Sequence, residues 1–195
     1  MNRQELRLIV REVLREPVPA RWSDALLNTY INNAIGEVEK ALMRTKTDTA
    51  DVEAGQETVS LPEDCYVLNS LHWVGSGEIK RQYSDVPDME EGVTEIPDRY
   101  WLIDNKIYLR PIPKKPGLIK FEYYYKLPRL ITDDDVLPLD GLSNFVKAHA
   151  VFEAYFDDGD PRFEIWKQRK NEELATWMTA EISSYSMGFK VEERW

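Results

Sequence analysis

Apolar side chains recur along this chain with two different periods, and the order in which those periods follow one another restricts the fold more than any other feature. In Ser23 to Arg44 the residues Leu27, Ile31, Ala34, Val38 and Leu42 form one stripe at helical spacing. Ser23 stands where an N-cap belongs, and Asp24 just inside it suits the positive end of the helix dipole. A shorter helix precedes it, with Leu6, Val10 and Val13 on one face, and the Pro17-Val18-Pro19 stretch separates the two. From about Thr47 the period changes. Thr58, Val59 and Leu61 form a short extended run stopped by Pro62, and Tyr66 to Val74 is rich in strand formers. Tyr100 to Ile103 and Lys106 to Arg110 flank Asp104-Asn105, a pair suited to a tight primed turn. Ile119, Phe121, Tyr123 and Tyr125 alternate with polar or tyrosine neighbours, as in a half-buried strand. Past Pro138 the helical period returns. Leu142, Phe145, Val146, His149, Phe152 and Phe156 trace one face, which ends at Asp157-Asp158-Gly159. Asp160-Pro161 then restarts a helix with the stripe Phe163, Trp166, Lys170, Leu174 and Trp177.

The pattern helix, strand, helix predicts an α+β fold. The N- and C-terminal helices, residues 1–46 and 137–182, form a helical bundle, with an antiparallel β module, residues 47–136, inserted between them. Tyr83 to Pro97, rich in acids and closed by a proline, reads as a long exposed loop. Residues 183–195 read as an extended C-terminal tail in which Tyr185, Phe189 and Trp195 stand among polar neighbours.

Charge and cysteine usage narrow the function. The net charge of −10 argues against a surface that clings everywhere to nucleic acid or anionic lipid. No apolar run approaches the roughly 20 residues of a membrane helix. The charged start, with Arg3, Glu5, Arg7, Arg11 and Glu12, is unlike a signal core, so a soluble chain made in the cytosol is expected. The single cysteine, Cys65, excludes an internal disulfide, and with His72 and His149 as its only histidine companions it leaves little material for a zinc site.

The remaining clusters each admit a plain reading. Arg3, Arg7, Arg11 and Arg15 climb one side of the first helix, either as a basic stripe for phosphate or an acidic protein surface or as a solvated face. Asp133-Asp134-Asp135 and Asp157 to Asp160 lack the alternate spacing of an EF-hand and read as turns and caps. Glu63 and Asp64, adjacent in an extended segment, point apart and read as strand punctuation. No nucleophile elbow, zinc-protease helix or phosphate loop is present, and Cys65 has no base beside it in sequence. The expectation is therefore no enzyme, no metal and no cofactor. Tyr100, Trp101, Tyr108, Phe121, Tyr123, Tyr124 and Tyr125 could stack sugars or bases, but such residues also build the core of a small β module.

The order of segments carries a resemblance. Leu26 to Val38 in a helical hairpin, Ala54-Gly55-Gln56 leading to Val59 through Asp64, then Pro97 to Trp101, Ile107 to Pro113, Tyr123 to Tyr125, and Leu137-Pro138 before the last helices together resemble the head-to-tail adaptor (connector) proteins of tailed bacteriophages. Size and plan are also similar to the tubular tail protein A, or gatekeeper, of short-tailed phages. The resemblance implies a structural virion protein, assembled in the bacterial host cytoplasm, that forms a ring below the portal, in this family often a dodecamer. It implies as partners the portal protein, a tail or nozzle protein and further copies of the same chain, with DNA passing through the channel without specific binding and no membrane. Residues 47–128 and 129–195 each carry a net charge of −6, and an acidic wall would let DNA slide. On this reading Arg3, Arg7, Arg11, Arg15, Tyr185, Phe189 and Trp195 are the candidate assembly interface. The competing function is a carbohydrate- or peptide-binding β module of a phage tail or a bacterial protein.

Overall fold

The computed structural model describes residues 1–16, 19, 21–83 and 95–188, of which 182–188 are described by backbone alone. The chain has an α+β fold and divides into two compact units, a helical one of residues 1–42 and 127 onward and a β unit of residues 43–126.

The helical unit contains α1 (Arg3–Leu14), α2 (Asp24–Leu42), α3 (Ser143–Asp157) and α4 (Phe163–Gly188). Asn2 caps α1 in a reciprocal capping box with Glu5, and Arg15 closes the helix in the left-handed conformation. The Ser23 hydroxyl accepts the Leu26 N–H at 3.2 Å, as its position in the sequence predicts. Most of the predicted stripe residues are buried, Leu6 and Val10 of α1, Leu27, Ile31, Ala34 and Val38 of α2, and Leu142, Phe145, Val146 and His149 at α3, whereas Val13, Leu42 and Phe152 are half-buried and the α4 stripe is half-buried except at Trp177. Phe156 departs from the expectation, being 58% exposed while its ring contacts Phe152 in a tilted arrangement and Phe163 edge-on. Gly159, at φ +68°, turns the chain after α3. The Asp160 carboxylate accepts the Arg162 N–H at 2.9 Å, so α4 begins two residues later than Pro161 suggested.

Three boundaries move, the first being that residues 43–46, read as part of the helical bundle, belong to the β unit. With no proline or glycine between Phe163 and Gly188 to stop it, α4 continues through residues 183–188, which the sequence reading placed in an extended tail. Phe189 and Trp195 lie outside the described residues. Residues 127–136 belong to the helical unit rather than to the β module. Leu127 and Leu130 are buried there, and the Asn32 side chain pairs with both backbone groups of Leu130, at 3.0 and 2.9 Å.

Among the described residues the β unit holds eight strands: β1 (Thr45–Val52), β2 (Thr58–Ser60), β3 (Cys65–Trp73), β4 (Gly77–Glu78), β5 (Lys80–Arg81), β6 (Arg99–Ile103), β7 (Lys106–Arg110) and β8 (Gly117–Tyr125). They form two four-stranded sheets, ordered β1-β8-β3-β4 and β2-β7-β6-β5, antiparallel except for β5 against β6. Asp104 and Asn105 both take positive φ, +48° and +62°, which is the primed turn their pairing predicts. Both sheets contribute to one core that includes Leu71, Trp73, Tyr100, Ile107, Leu109, Ile119, Phe121 and Tyr123. Gly117 is required at its place because a Cβ there would stand 2.0 Å from Trp73 Cζ2. The strand β1 is an addition that apolar alternation did not reveal, and residues 84–94 of the acid-rich stretch lie outside the described residues.

Candidate assembly surfaces

The arginine stripe is turned inward along most of its length. Arg3 bonds Asp133 Oδ1 through Nη2 at 2.9 Å and the Leu130 carbonyl through Nη1 at 3.1 Å. Arg7 grips both Asp133 oxygens at 3.0 Å, donates to Asn28 and approaches Asp24. Arg11 is 3% exposed and holds Asp24 at 2.5 Å and the Trp22 carbonyl at 2.9 Å. The two guanidiniums hold the Asp133 carboxyl down at about 2, and Asp133 in turn raises the Arg7 guanidinium. These pairs dock α1 on α2 and on the 130–137 segment, where the Arg3 N–H also bonds the Asp135 carbonyl at 3.0 Å. The solvated-face reading therefore fails for three of the four positions. Only Arg15 is exposed and, among the described residues, without an ion pair.

A second polar cluster lies inside the helical unit and links three helices. His149 Nε2 donates to Glu37 Oε2 at 2.8 Å, and Lys170 Nζ holds the same carboxylate at 2.7 Å. Together they keep the Glu37 carboxyl at about 2. His149 Nδ1 faces Glu153 at 3.9 Å and has no hydrogen-bond partner. Burial pushes the Glu153 carboxyl upward, against the Asn33 amide that donates to it at 2.9 Å. Reading the sequence placed His149 on an apolar face and Lys170 in an apolar stripe without naming their partner.

The β unit brings together a serine, a histidine and a glutamate that no sequence motif announces. Ser70 Oγ is 3.0 Å from His72 Nε2 and 3.0 Å from Glu122 Oε2, on the sheet face opposite the core. The Glu122 carboxyl, lowered mainly by Lys120 and also by Ser70, is an acceptor, so the serine proton goes to it and His72 Nε2–H donates to Ser70. Cys65 is buried, and burial raises its thiol. Among the described residues no group of three or more His, Cys, Asp or Glu could hold a metal ion, and no helix is long and apolar enough to cross a membrane.

The aromatic cluster is mostly interior. Tyr100, Trp101, Phe121 and Tyr123 are buried, Tyr123 with its hydroxyl on Asp64 at 2.8 Å, and Tyr108, Tyr124 and Tyr125 are half-buried. Among the described residues, no ring of this cluster is exposed. Apolar exposure sits elsewhere: Tyr66, Val67 and Tyr83 on the β unit, Phe156 and Ile165 on the helical one. Tyr185 lies near the end of α4.

The helical unit is thus closed by internal ion pairs, and the two sheets of the β unit share one core. The chain belongs to the SU10 adaptor protein family, whose model matches residues 1–187, and so is a bacteriophage structural adaptor, a virion component of tail assembly. No curated protein matches the chain.

Proposed function

We propose that this adaptor assembles as a closed ring under the portal of the filled capsid, prolongs the DNA channel and offers the tail its docking surface. The family match, covering all but the last eight residues, carries the reading. The net charge of −10 supports it, because an acidic wall repels the phosphate backbone and leaves DNA free to slide. The portal protein and a tail or nozzle protein are the partners, and the C-terminal end, with Tyr185, Phe189 and Trp195, grips the portal together with the exposed Arg15. Aromatic anchors at a chain end can bury themselves on docking while the free chain stays soluble.

The test is direct. Mixed with portal rings of the same phage, the parental chain should co-sediment with them and add a ring in electron micrographs, and deletion of residues 183–195 should leave the fold intact and abolish both. Parental chain that never associates with portal rings refutes the function. Unchanged co-sedimentation of the truncated chain refutes the role of the C-terminal end.

A further inference from the structure

Among the described residues one sheet edge has no neighbouring strand, and of its outward amides the Thr49 N–H is taken by a side chain of the same strand. The strand β1 is the outer strand of its sheet and pairs with β8 without a register shift from Thr45↔Tyr124 to Val52↔Gly117. Residues 45–49 and Asp51 are exposed. The Tyr125 N–H bonds the Arg44 carbonyl at 3.2 Å, which makes Arg44 and Tyr125 a hydrogen-bonded pair. Antiparallel ladders alternate, so residues 46, 48, 50 and 52 bond β8, whereas Thr45, Thr47, Thr49 and Asp51 aim their N–H and C=O groups away from the sheet. The Thr49 amide confirms the direction, since it is taken at 2.8 Å by the Asp48 carboxylate instead of by β8. No proline or bulge blunts this edge, and such a row is a template for another strand.

Charge selects the occupant. This edge presents Asp48 and Asp51, with Glu53 just beyond, none of them in an ion pair among the described residues, while Lys46 of the same strand is already held by Asp64 at 2.7 Å. Two copies meeting β1 against β1 would set these acids against themselves, which disfavours a symmetric dimer. The opposite flank of the sandwich, formed by β4 and β5, exposes Glu78 on β4 and Lys80 and Arg81 on β5, the two cations without ion pairs among the described residues and Arg81 with its guanidinium 5.1 Å from the centre of the Tyr83 ring. There the Lys80 and Gln82 amides bond Asp98 and Tyr100, at 2.9 and 2.8 Å, and turn inward, so the intervening Arg81 faces out. An acidic edge on one flank and a basic one on the other favour a head-to-tail contact, the kind that propagates into a ring.

We propose that the β1 edge is the docking strand for a second copy of this chain, received at the flank that carries Lys80 and Arg81. Because β4 and β5 are short and offer few backbone groups, side-chain charge supplies most of the selectivity. The inference rests on the ring reading above, and its test separates the two. Portal rings are loaded with parental chain, with Asp48→Lys/Asp51→Lys, with Lys80→Glu/Arg81→Glu, and with all four changes combined. Each two-site reversal should need about tenfold more protein for half-occupancy, a loss of about 1.4 kcal/mol per contact, and the fourfold variant should return toward the parental value. The isosteric Asp48→Asn/Asp51→Asn gives a smaller loss of the same sign and guards against misfolding of the reversals. A two-site reversal that loads like the parental chain, or a fourfold variant that fails to recover, overturns the β1 contact while leaving the ring reading in place. Failure of the parental chain to load portals overturns both.

Discussion

Replacing Glu37 by Gln probes how firmly the helical unit is assembled before it meets any partner. The carboxylate holds both the His149 imidazole at 2.8 Å and the Lys170 ammonium at 2.7 Å, so it joins α2 to α3 and α4 at one point. A fall of its pKa from the ordinary 4.5 to about 2 corresponds, at about 1.36 kcal/mol per pH unit, to about 3.4 kcal/mol of preference for the charged form in the folded state. About a third of the side chain still meets water, and screening reduces that to about 2 kcal/mol. Glu37→Gln keeps the shape and one acceptor oxygen, so it should cost about 2 kcal/mol at neutral pH and lower the midpoint of thermal unfolding by about 4–8 °C for a chain of this size. The sign with pH follows from the lowered value. A carboxyl depressed in the folded state stabilises fully above its unfolded pKa and loses that contribution as pH falls from about 4.5 toward 2. Urea unfolding followed by the helical far-ultraviolet dichroism, at pH 7 and at steps down to pH 3, should show the parental and variant curves converging with acid. A neutral-pH difference under about 0.5 kcal/mol, or one that stays constant as the pH falls, would refute the role given to this carboxylate.

Other perturbations act on separate parts of the fold. Gly117→Ala drives a methyl group into the Trp73 ring and should cost about 3 kcal/mol in urea unfolding of the β unit, with part regained on adding Trp73→Leu; a cost under about 1 kcal/mol would show that the ring has room to move. Arg7→Met removes the bidentate grip on Asp133 and should cost about 1–2 kcal/mol, whereas Arg15→Glu should leave unfolding unchanged, so only Arg15 reads the stripe's docking role by portal co-sedimentation without disturbing the fold. Glu153→Gln should stabilise the chain at neutral pH, because burial raises that carboxyl and the folded state disfavours its charged form; the advantage should shrink as acid protonates the parental residue, and destabilisation at pH 7 would contradict this.

What the sequence disclosed and what it concealed follow from the range of the forces involved. The turn at Asp104-Asn105, the cap at Ser23 and the alternation of Ile119, Phe121 and Tyr123 depend on neighbours within a few residues, and all three are legible. The arginine stripe showed which residues share a face but not that Asp133, 126 positions beyond Arg7, stands against it. Yet a signal was present for the buried cluster. A histidine in the stripe of α3 and a lysine in the stripe of α4 had to be satisfied somewhere, since polar groups on core faces are rarely left without a partner. Each polar interruption of an apolar stripe thus marks a place where one element meets another of the same chain. The strand β1 is the converse case. Only Ala50 and Val52 reach the core, so it shows no alternation, and it escaped reading because the fold gives it a neighbour on one side only. On the head-to-tail contact proposed above, the outward amides and carbonyls of this strand find their complement in the basic flank of the next copy.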